Sequence, residues 1–346
     1  MEKIHVLLTV PLQEAEIQKI EPVDPRLDVT YAMEEVLAEL GLPRTTMSSL
    51  MKSARQRDIS PAEASRALDG MLTHTEVIFA WRLPRNVRFR APRLKWVQSS
   101  SVGIDLMVAG SGLLESEVIL TTASGVSTTA VAEAALGLIF MLAKKARNLI
   151  ANQGTRRWEP LVFTVLKGKT IGIVGLGKIG REVARVAKAL GMTTLSSTKL
   201  EDDTSGVDKV FPPGELRKML PDCDFVVVTV PLTPETKGLI GEAELKAMKP
   251  TAYLVNVSRG TIIRQDVLTP ALKEGWIAGA GLDVFEVEPL PSSSELWTLP
   301  GVIVSPHSAG VMEQYMTAVT GIFCENLRHF LAGEPLVNEF NKKRGY

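Results

Sequence analysis

The run Thr170-Ile-Gly-Ile-Val-Gly-Leu-Gly-Lys-Ile-Gly180 restricts this chain more than any other. An apolar stretch leads into Gly175, Gly177 and Gly180, and a helical stretch at residues 178–190, stopped by Gly191, follows. Strand, G-x-G-x-x-G and helix in that order open a parallel β-α-β unit. The first glycine permits a tight turn, the second lets a pyrophosphate approach the backbone, and the third lets the helix pack close to the sheet. The helix start offers free N–H groups and the positive end of its dipole, which suits a dinucleotide. Gly175, Gly177, Lys178, Ile179 and Gly180 are the expected cradle.

Further strands are expected at residues 193–197, 225–230, 253–257 and 302–305, which completes a doubly wound unit in the middle of the chain. A second α/β unit precedes it. Its strands are expected at 4–10, 27–31, 77–81 and 94–98, with helices at 33–40 and 62–68. Ser60 is placed as an N-cap of the latter helix, with Pro61 at its first position. Residues 131–147 carry too little polar surface for an exposed helix and are expected to be packed on both sides or to lie at a subunit interface. A last helix at 317–331, ended by Gly333, finds no strand partner left in the middle unit, so it is expected to return to the first. The expected fold class is therefore α/β with two parallel doubly wound sheets. A Rossmann domain (122–311) is inserted into a flavodoxin-like substrate domain (1–121, completed by 312–346).

Lys and Arg together number 39, as do Asp and Glu, and the absence of a basic excess or stripe argues against nucleic acid as a partner. The most apolar stretch, 134–143, is too short to cross a bilayer and is flanked by Glu133, Lys144 and Lys145. No cleavage site follows the N-terminal apolar run, so neither a signal peptide nor a membrane partner is expected, and a cytoplasmic location is. Cys223 and Cys324 cannot form a disulfide framework and read as buried small hydrophobes. His5, His74 and His329 show no partner motif and are read as structural or solvent-exposed, and no metal site is expected.

At the end of the second strand of the middle unit an acid would accept hydrogen bonds from ribose hydroxyls. This chain has Ser196-Ser-Thr-Lys199 there, with no carboxylate before Glu201. Hydroxyls of Ser197 and Thr198 and the charge of Lys199 suit a 2′-phosphate better, so NADP is expected to be favoured over NAD.

Downstream lie Val230-Pro-Leu-Thr-Pro-Glu-Thr236, Val255-Asn-Val-Ser-Arg-Gly260, Gly281-Leu-Asp-Val-Phe-Glu-Val-Glu-Pro-Leu-Pro291 and Ser305-Pro-His-Ser-Ala-Gly310. With the glycine motif, this ordered set resembles the D-isomer-specific 2-hydroxyacid dehydrogenases, which include glyoxylate/hydroxypyruvate reductases, D-lactate dehydrogenases and phosphoglycerate dehydrogenases. The resemblance covers essentially the whole chain and is strongest from Thr170 to Gly310. It implies hydride transfer between NAD(P)H and a small 2-keto or 2-hydroxy acid, glyoxylate and hydroxypyruvate among the candidates. The implied catalytic set is Arg259, Glu288 and His307. Its chemistry is coherent: Arg259 offers a fork to carboxylate and carbonyl oxygens, His307 gives a proton to the developing alkoxide, and Glu288 favours and orients the protonated imidazole.

The resemblance further implies that Asp283 holds the nicotinamide carboxamide and that Val230, Pro231, Thr236, Val257, Ser258 and His307 line the cofactor. It implies that the amides of Val102 and Gly103, in Ser99-Ser-Ser-Val-Gly-Ile-Asp105, bind the substrate carboxylate beside Arg259 and His307. Trp81 is read as lining the same site or as core, and a homodimer through the dinucleotide-binding domain is expected.

Residues 42–69 are longer than the usual connection, and no role is assigned to them. The chain ends at Tyr346 without room for the regulatory domain of many phosphoglycerate dehydrogenases, and Glu288 stands where formate dehydrogenases of the superfamily have Gln. Two rival readings keep the same residues: a dinucleotide-sensing corepressor that binds peptide motifs, and a phosphite-type dehydrogenase.

Overall fold

The computed structural model describes residues 2–42, 59–199 and 203–346; most of the long connection (43–58), together with Glu201 and Asp202, lies outside them. The chain forms two compact units, Met1–Val126 with Met312–Tyr346, and Ser127–Val311.

The first unit contains β1 (Ile4–Thr9), α1 (Glu14–Ile20), β2 (Leu27–Tyr31), α2 (Met33–Leu40), α3 (Pro61–Leu72), β3 (Val77–Ala80), α4 (Val87–Arg90), β4 (Trp96–Ser99), α5 (Asp105–Val108) and β5 (Ile119–Thr121). The strands pair in parallel in the order β2-β1-β3-β4-β5. Ser60 caps α3 as expected, with its side chain accepting from the Glu63 N–H and Pro61 in the first turn.

The late helix of this unit runs over Tyr315–Ala332 and ends where Gly333 turns left-handed at φ 72°. It carries Phe323 onto Phe79 (ring centroids 4.4 Å apart) and Trp96 (5.3 Å). Beneath it, Trp96 Nε1–H donates to Thr121 Oγ1 (2.8 Å), which donates to Gln98 Oε1 (2.7 Å), and Asn326 Nδ2 reaches the same oxygen at 2.9 Å. These buried polar atoms are thus satisfied inside the core.

The second unit begins with α6 (Thr128–Ala143) and α7 (Ala146–Gly154). Then come β6 (Thr170–Val174), α8 (Lys178–Ala189), β7 (Thr193–Ser197), β8 (Lys209–Phe211), α9 (Leu216–Met219), β9 (Phe225–Val228), α10 (Glu242–Ala247), β10 (Tyr253–Asn256), α11 (Gln265–Lys273), β11 (Gly279–Leu282) and β12 (Val302–Val304). The helix Tyr315–Ala332 of the first unit is α12. All strands of the second sheet are parallel, in the order β12-β11-β10-β9-β6-β7-β8, the doubly wound arrangement with its reversal between β6 and β9. Central β9 is buried at every position, as its unbroken apolar run requires.

Two sequence expectations need correction. The single helix at 131–147 is two helices, broken where Lys145 adopts φ 51°. Helix α6 buries eight residues and α7 none, so the chain turns where its apolar cover ends. Nor is the segment packed on both sides within its unit, since Phe140 and Met141 are 39% and 38% exposed.

The short strands β5 and β8 were not expected, nor was β11, where Gly279-Ala-Gly-Leu282 lacks β-branched residues. Close packing explains β11. A Cβ on Gly279 would lie 2.2 Å from the Gly301 carbonyl oxygen, and one on Gly281 would lie 2.9 Å from Leu138 Cβ of α6.

Candidate active site

The glycine loop between β6 and α8 is built for close approach. Gly175 sits at φ +96°, and a Cβ there would meet Val230 Cγ1 at 2.6 Å. A Cβ on Gly180 would stand 2.2 Å from the Gly175 carbonyl oxygen, so only glycine lets α8 start this near the turn. Gly177 is the N-cap, with open space where its side chain would be. Among the described residues no acceptor takes the N–H of Gly177 or Ile179. A cradle with room at Gly177 and unpaired amides at the helix start fits a dinucleotide pyrophosphate.

Val230 and Pro231 fold over this loop from the end of β9. Thr229 Oγ1 donates to the Gly175 carbonyl at 2.7 Å, and Thr236 Oγ1 closes the turn by donating to the Pro231 carbonyl at 2.6 Å.

At the end of β7 the structure gives the expected hydroxyls a further role within the fold. Ser197 and Thr198 are both buried, and Thr198 Oγ1 accepts the Leu176 N–H at 3.3 Å, which ties β7 to the glycine loop. Lys199 is exposed. Beside it the structure brings a cation that the motif reading passed over. Arg181, in the first turn of α8, donates from Nη1 to the Leu176 carbonyl at 2.9 Å, and its charge helps lower the Asp203 carboxyl pKa. Its only sequence signal was its place directly after Gly180.

The catalytic candidates converge at the carboxyl ends of β10, β11 and β12. Buried Asn256 shapes the turn after β10: its Oδ1 accepts the Ser258 N–H (3.1 Å) and its Nδ2 donates to the Arg259 carbonyl (3.0 Å). The next residue must be glycine, since a Cβ on Gly260 would overlap the Phe285 carbonyl carbon at 1.9 Å. That close approach brings the Arg259 turn against the 285–288 turn. Arg259 donates to the Ser258 carbonyl at 2.8 Å and acts electrostatically on both Glu288 and His307.

His307 Nδ1 stands 2.7 Å from Glu288 Oε2, and the other carboxylate oxygen accepts the Phe285 N–H at 2.9 Å. The hydrogen bond to Glu288 raises the imidazole pKa against the opposing effects of burial and of Arg259. For Glu288, burial pushes the carboxyl upward, but the His307 and Phe285 hydrogen bonds outweigh it and bring the pKa down. The pair therefore favours imidazolium beside carboxylate. With Nδ1 engaged by Glu288, Nε2 is the nitrogen that can pass a proton on.

His307 has φ 53°, a strained conformation for a side chain of this size, and Asp283 holds it there. The Asp283 carbonyl accepts the His307 N–H at 2.8 Å. The buried Asp283 carboxylate accepts from Ser305 Oγ (2.6 Å) and from the Ser308 (2.8 Å) and Ala309 (3.0 Å) amides. Three of its acceptor positions are thus used on the 305–309 loop. The sequence reading gave Asp283 only to the cofactor, and its structural partners Ser305 and Ser308 carried no separate signal. Val257 is buried and Ser258 partly buried on the same turn.

In the first unit, the loop after β4 holds Val102 and Gly103 exposed, and among the described residues no acceptor takes either amide. Ser100 N–H donates to the Ala80 carbonyl at 2.7 Å, and Tyr315 Oη donates to the Ser100 carbonyl at 2.7 Å. Trp81 is partly buried against the core of this unit.

Comparison with known proteins shows the family. Residues 136–309 match the family model described as D-isomer specific 2-hydroxyacid dehydrogenase, NAD binding domain. The chain is 39% identical over 294 residues to a glyoxylate reductase of Thermococcus gammatolerans, a match covering 81% of this chain and 85% of the relative. A glyoxylate reductase of Korarchaeum cryptofilum is 38% identical over 261 residues, 73% of this chain and 78% of its own. Among solved structures, a D-isomer specific 2-hydroxyacid dehydrogenase from Xanthobacter autotrophicus, determined with NADPH and MES, superposes with a TM-score of 0.79 at 26% identity, covering 100% of each chain. On these matches the chain belongs to the D-isomer-specific 2-hydroxyacid dehydrogenase family and is an NAD(P)-dependent oxidoreductase of 2-keto and 2-hydroxy acids.

Proposed function

We propose that this protein reduces small 2-keto acids to the D-2-hydroxy acids, with glyoxylate and hydroxypyruvate as the first substrates to try and NADPH as the preferred donor. The observation that carries this reading is the His307–Glu288 contact of 2.7 Å beside Arg259. The reduced nicotinamide, when bound, supplies the hydride. The residues of the chain do the rest. The amides of Val102 and Gly103 receive the substrate carboxylate, Arg259 polarises the keto oxygen with its fork, and His307 protonates that oxygen as hydride arrives at C2. Glu288 keeps the imidazole charged until the proton leaves, and Asp283 keeps its loop in place. The cradle of Gly175, Gly177, Lys178, Ile179 and Gly180 would hold the pyrophosphate, with Lys199 and Arg181 at the adenosine end.

The test is a panel of 2-keto acids with NADPH and with NADH, followed by loss of reduced-nicotinamide absorbance and chiral analysis of the product. Reduction of no 2-keto acid, or formation of the L-product, would overturn the reading.

We also place the protein as a homodimer in the cytoplasm. Exposed Phe140, Met141, Leu149, Ile150 and Phe163 cluster in sequence around α6 and α7 of the second unit, where an apolar face needs cover. Both cysteines are buried free thiols, which suits a reducing compartment. Light scattering that finds only monomer at micromolar concentration would sink the dimer.

A further inference from the structure

The first sheet, ordered β2-β1-β3-β4-β5, reverses its winding between β1 and β3, and in open parallel sheets ligands bind outside the carboxyl ends of the strands at such a point. The chain leaves β3 there through Trp81 and Arg82, whose N–H groups both reach back to the Thr9 carbonyl at the end of β1 (3.0 and 3.4 Å). The Arg82 guanidinium lies over the Trp81 ring, 4.1 Å from its centroid, and donates one hydrogen bond, Nη1 to the Trp81 carbonyl at 3.2 Å. A guanidinium has five N–H donors, so most of this fork is unused.

Arg90 in the same unit shows the contrast. It too is partly shielded, and it pairs with both Glu39 and Asp69 at 2.7 Å. Among the described residues no carboxylate pairs with Arg82, although it is partly buried. Burial lowers its pKa, and among the described residues no acid acts to raise it. A shielded cation without a counter-charge is costly unless an anion arrives from outside.

The neighbouring loop points to which anion. Ser100 N–H bonds the Ala80 carbonyl at the end of β3, so the 99–103 loop and Arg82 leave the sheet side by side. Ser100 Oγ is buried without a partner, and the Val102 and Gly103 amides have none among the described residues. On the keto-acid reading above, on which this step rests, those amides take the substrate carboxylate. We propose that Arg82 receives a second anionic group at the far end of the substrate, so that the preferred substrates are 2-keto acids with a distal carboxylate or phosphate.

The experiment compares kcat/KM for oxaloacetate, 2-ketoglutarate and 3-phosphohydroxypyruvate with that for 2-ketobutyrate, whose tail is neutral. Wild type is set beside Arg82→Gln and Arg82→Lys. We expect at least one dianion to exceed 2-ketobutyrate by about tenfold or more, and Arg82→Gln to lower kcat/KM for that dianion by about 10–100-fold, collapsing the ratio. Arg82→Lys should keep part of the preference. The carboxylate and phosphate arms show which anion the site takes. A wild type that favours the neutral tail over every dianion overturns the inference, as does an Arg82→Gln that lowers both substrate types in the same proportion. Binding of the same acids to enzyme loaded with oxidised cofactor reads the preference without turnover. Equal binding of dianion and neutral acid there refutes the role of Arg82, whereas failure to reduce any 2-keto acid refutes the reading of the reaction itself.

Discussion

The carboxyl edges of the two parallel sheets differ in how far their polar groups are already satisfied. At the second edge Asp283 is bonded to Ser305, Ser308 and Ala309, Glu288 to Phe285 and His307, and Asn256 to Ser258 and Arg259. At the first edge, among the described residues, the Val102 and Gly103 amides, Ser100 Oγ and most donors of Arg82 have no protein partner. Groups locked by their neighbours hold a proton at a fixed place and need no rearrangement during reaction. Unsatisfied donors wait for a ligand. The contrast teaches where the rate and the substrate choice should be separately mutable: changes at the second edge should act on kcat, and changes at the first on KM and on selection.

The strongest test of that division is His307→Ala. Loss of the proton donor should lower kcat for keto-acid reduction by about 10²–10⁴-fold while cofactor affinity, read by fluorescence titration, stays nearly constant. Ordinary turnover in this variant would break the assignment. Arg259→Lys should also be poor, because an ammonium replaces the fork.

A smaller effect is expected at Asp283, and it separates two roles. Asp283→Ala leaves the 305–309 loop without its buried acceptor, which should cost about 3 kcal/mol of local stability even with no cofactor present. Hydrogen exchange across residues 304–311 of the apo protein reads this directly. If Asp283 serves the nicotinamide alone, exchange in the apo variant will match wild type.

How much of this was legible in the sequence varies with the range of the cause. The glycine cradle, the strand-helix alternation and the Arg259, Glu288 and His307 set all lie in contiguous motifs whose spacing carries their meaning. The need for glycine at position 260 was not legible, because it arises from Phe285, 25 residues later, whose backbone lies against the turn. Strand β11 was hidden for the same reason: its glycines are demanded by Gly301 and by Leu138, not by any local propensity. The bond that Thr198 Oγ1 accepts from the Leu176 N–H was not legible either, since only the strand position of Thr198 is visible in the sequence. Arg82 had no motif at all; its meaning depends on the reversal point of the sheet and on its having no carboxylate partner among the described residues.

Glu288→Gln refines the proton account through pH. The carboxylate raises the His307 pKa, so the imidazolium needed for reduction persists to higher pH than in an isolated histidine. Reduction should be fully supported below that raised value and fall as pH rises through it. Replacing the carboxylate by an amide removes the upward pull, so the falling limb of the kcat–pH profile should move to lower pH, with modest loss on the acid side. A limb that stays in place would mean that another group titrates. Oxidation of the hydroxy acid needs the neutral imidazole, so its rising limb should move the same way.

The smallest single effect is expected at Lys199, near the end of β7, where it and Arg181 are placed unequally. Lys199 is exposed and feels the opposing charge of Glu235, so its help to a 2′-phosphate is screened. An exposed pair of this kind is worth about 0.2–1 kcal/mol, so Lys199→Ala should shift the NADPH-to-NADH ratio of kcat/KM by about 1.4- to 5-fold toward NADH. Arg181 is partly buried and anchored to the glycine loop through Leu176, so a fork held there loses little freedom on meeting a phosphate. Charge-assisted bonds from such a fork are worth about 1.5–3 kcal/mol, so Arg181→Gln should move the ratio more than Lys199→Ala does. Both ratios are measured at one keto-acid concentration and at two ionic strengths, since the contribution of Lys199 should shrink with added salt and that of Arg181 should largely remain. A wild type that prefers NADH, or a ratio that neither substitution moves, would show that the end of β7 does not select the cofactor.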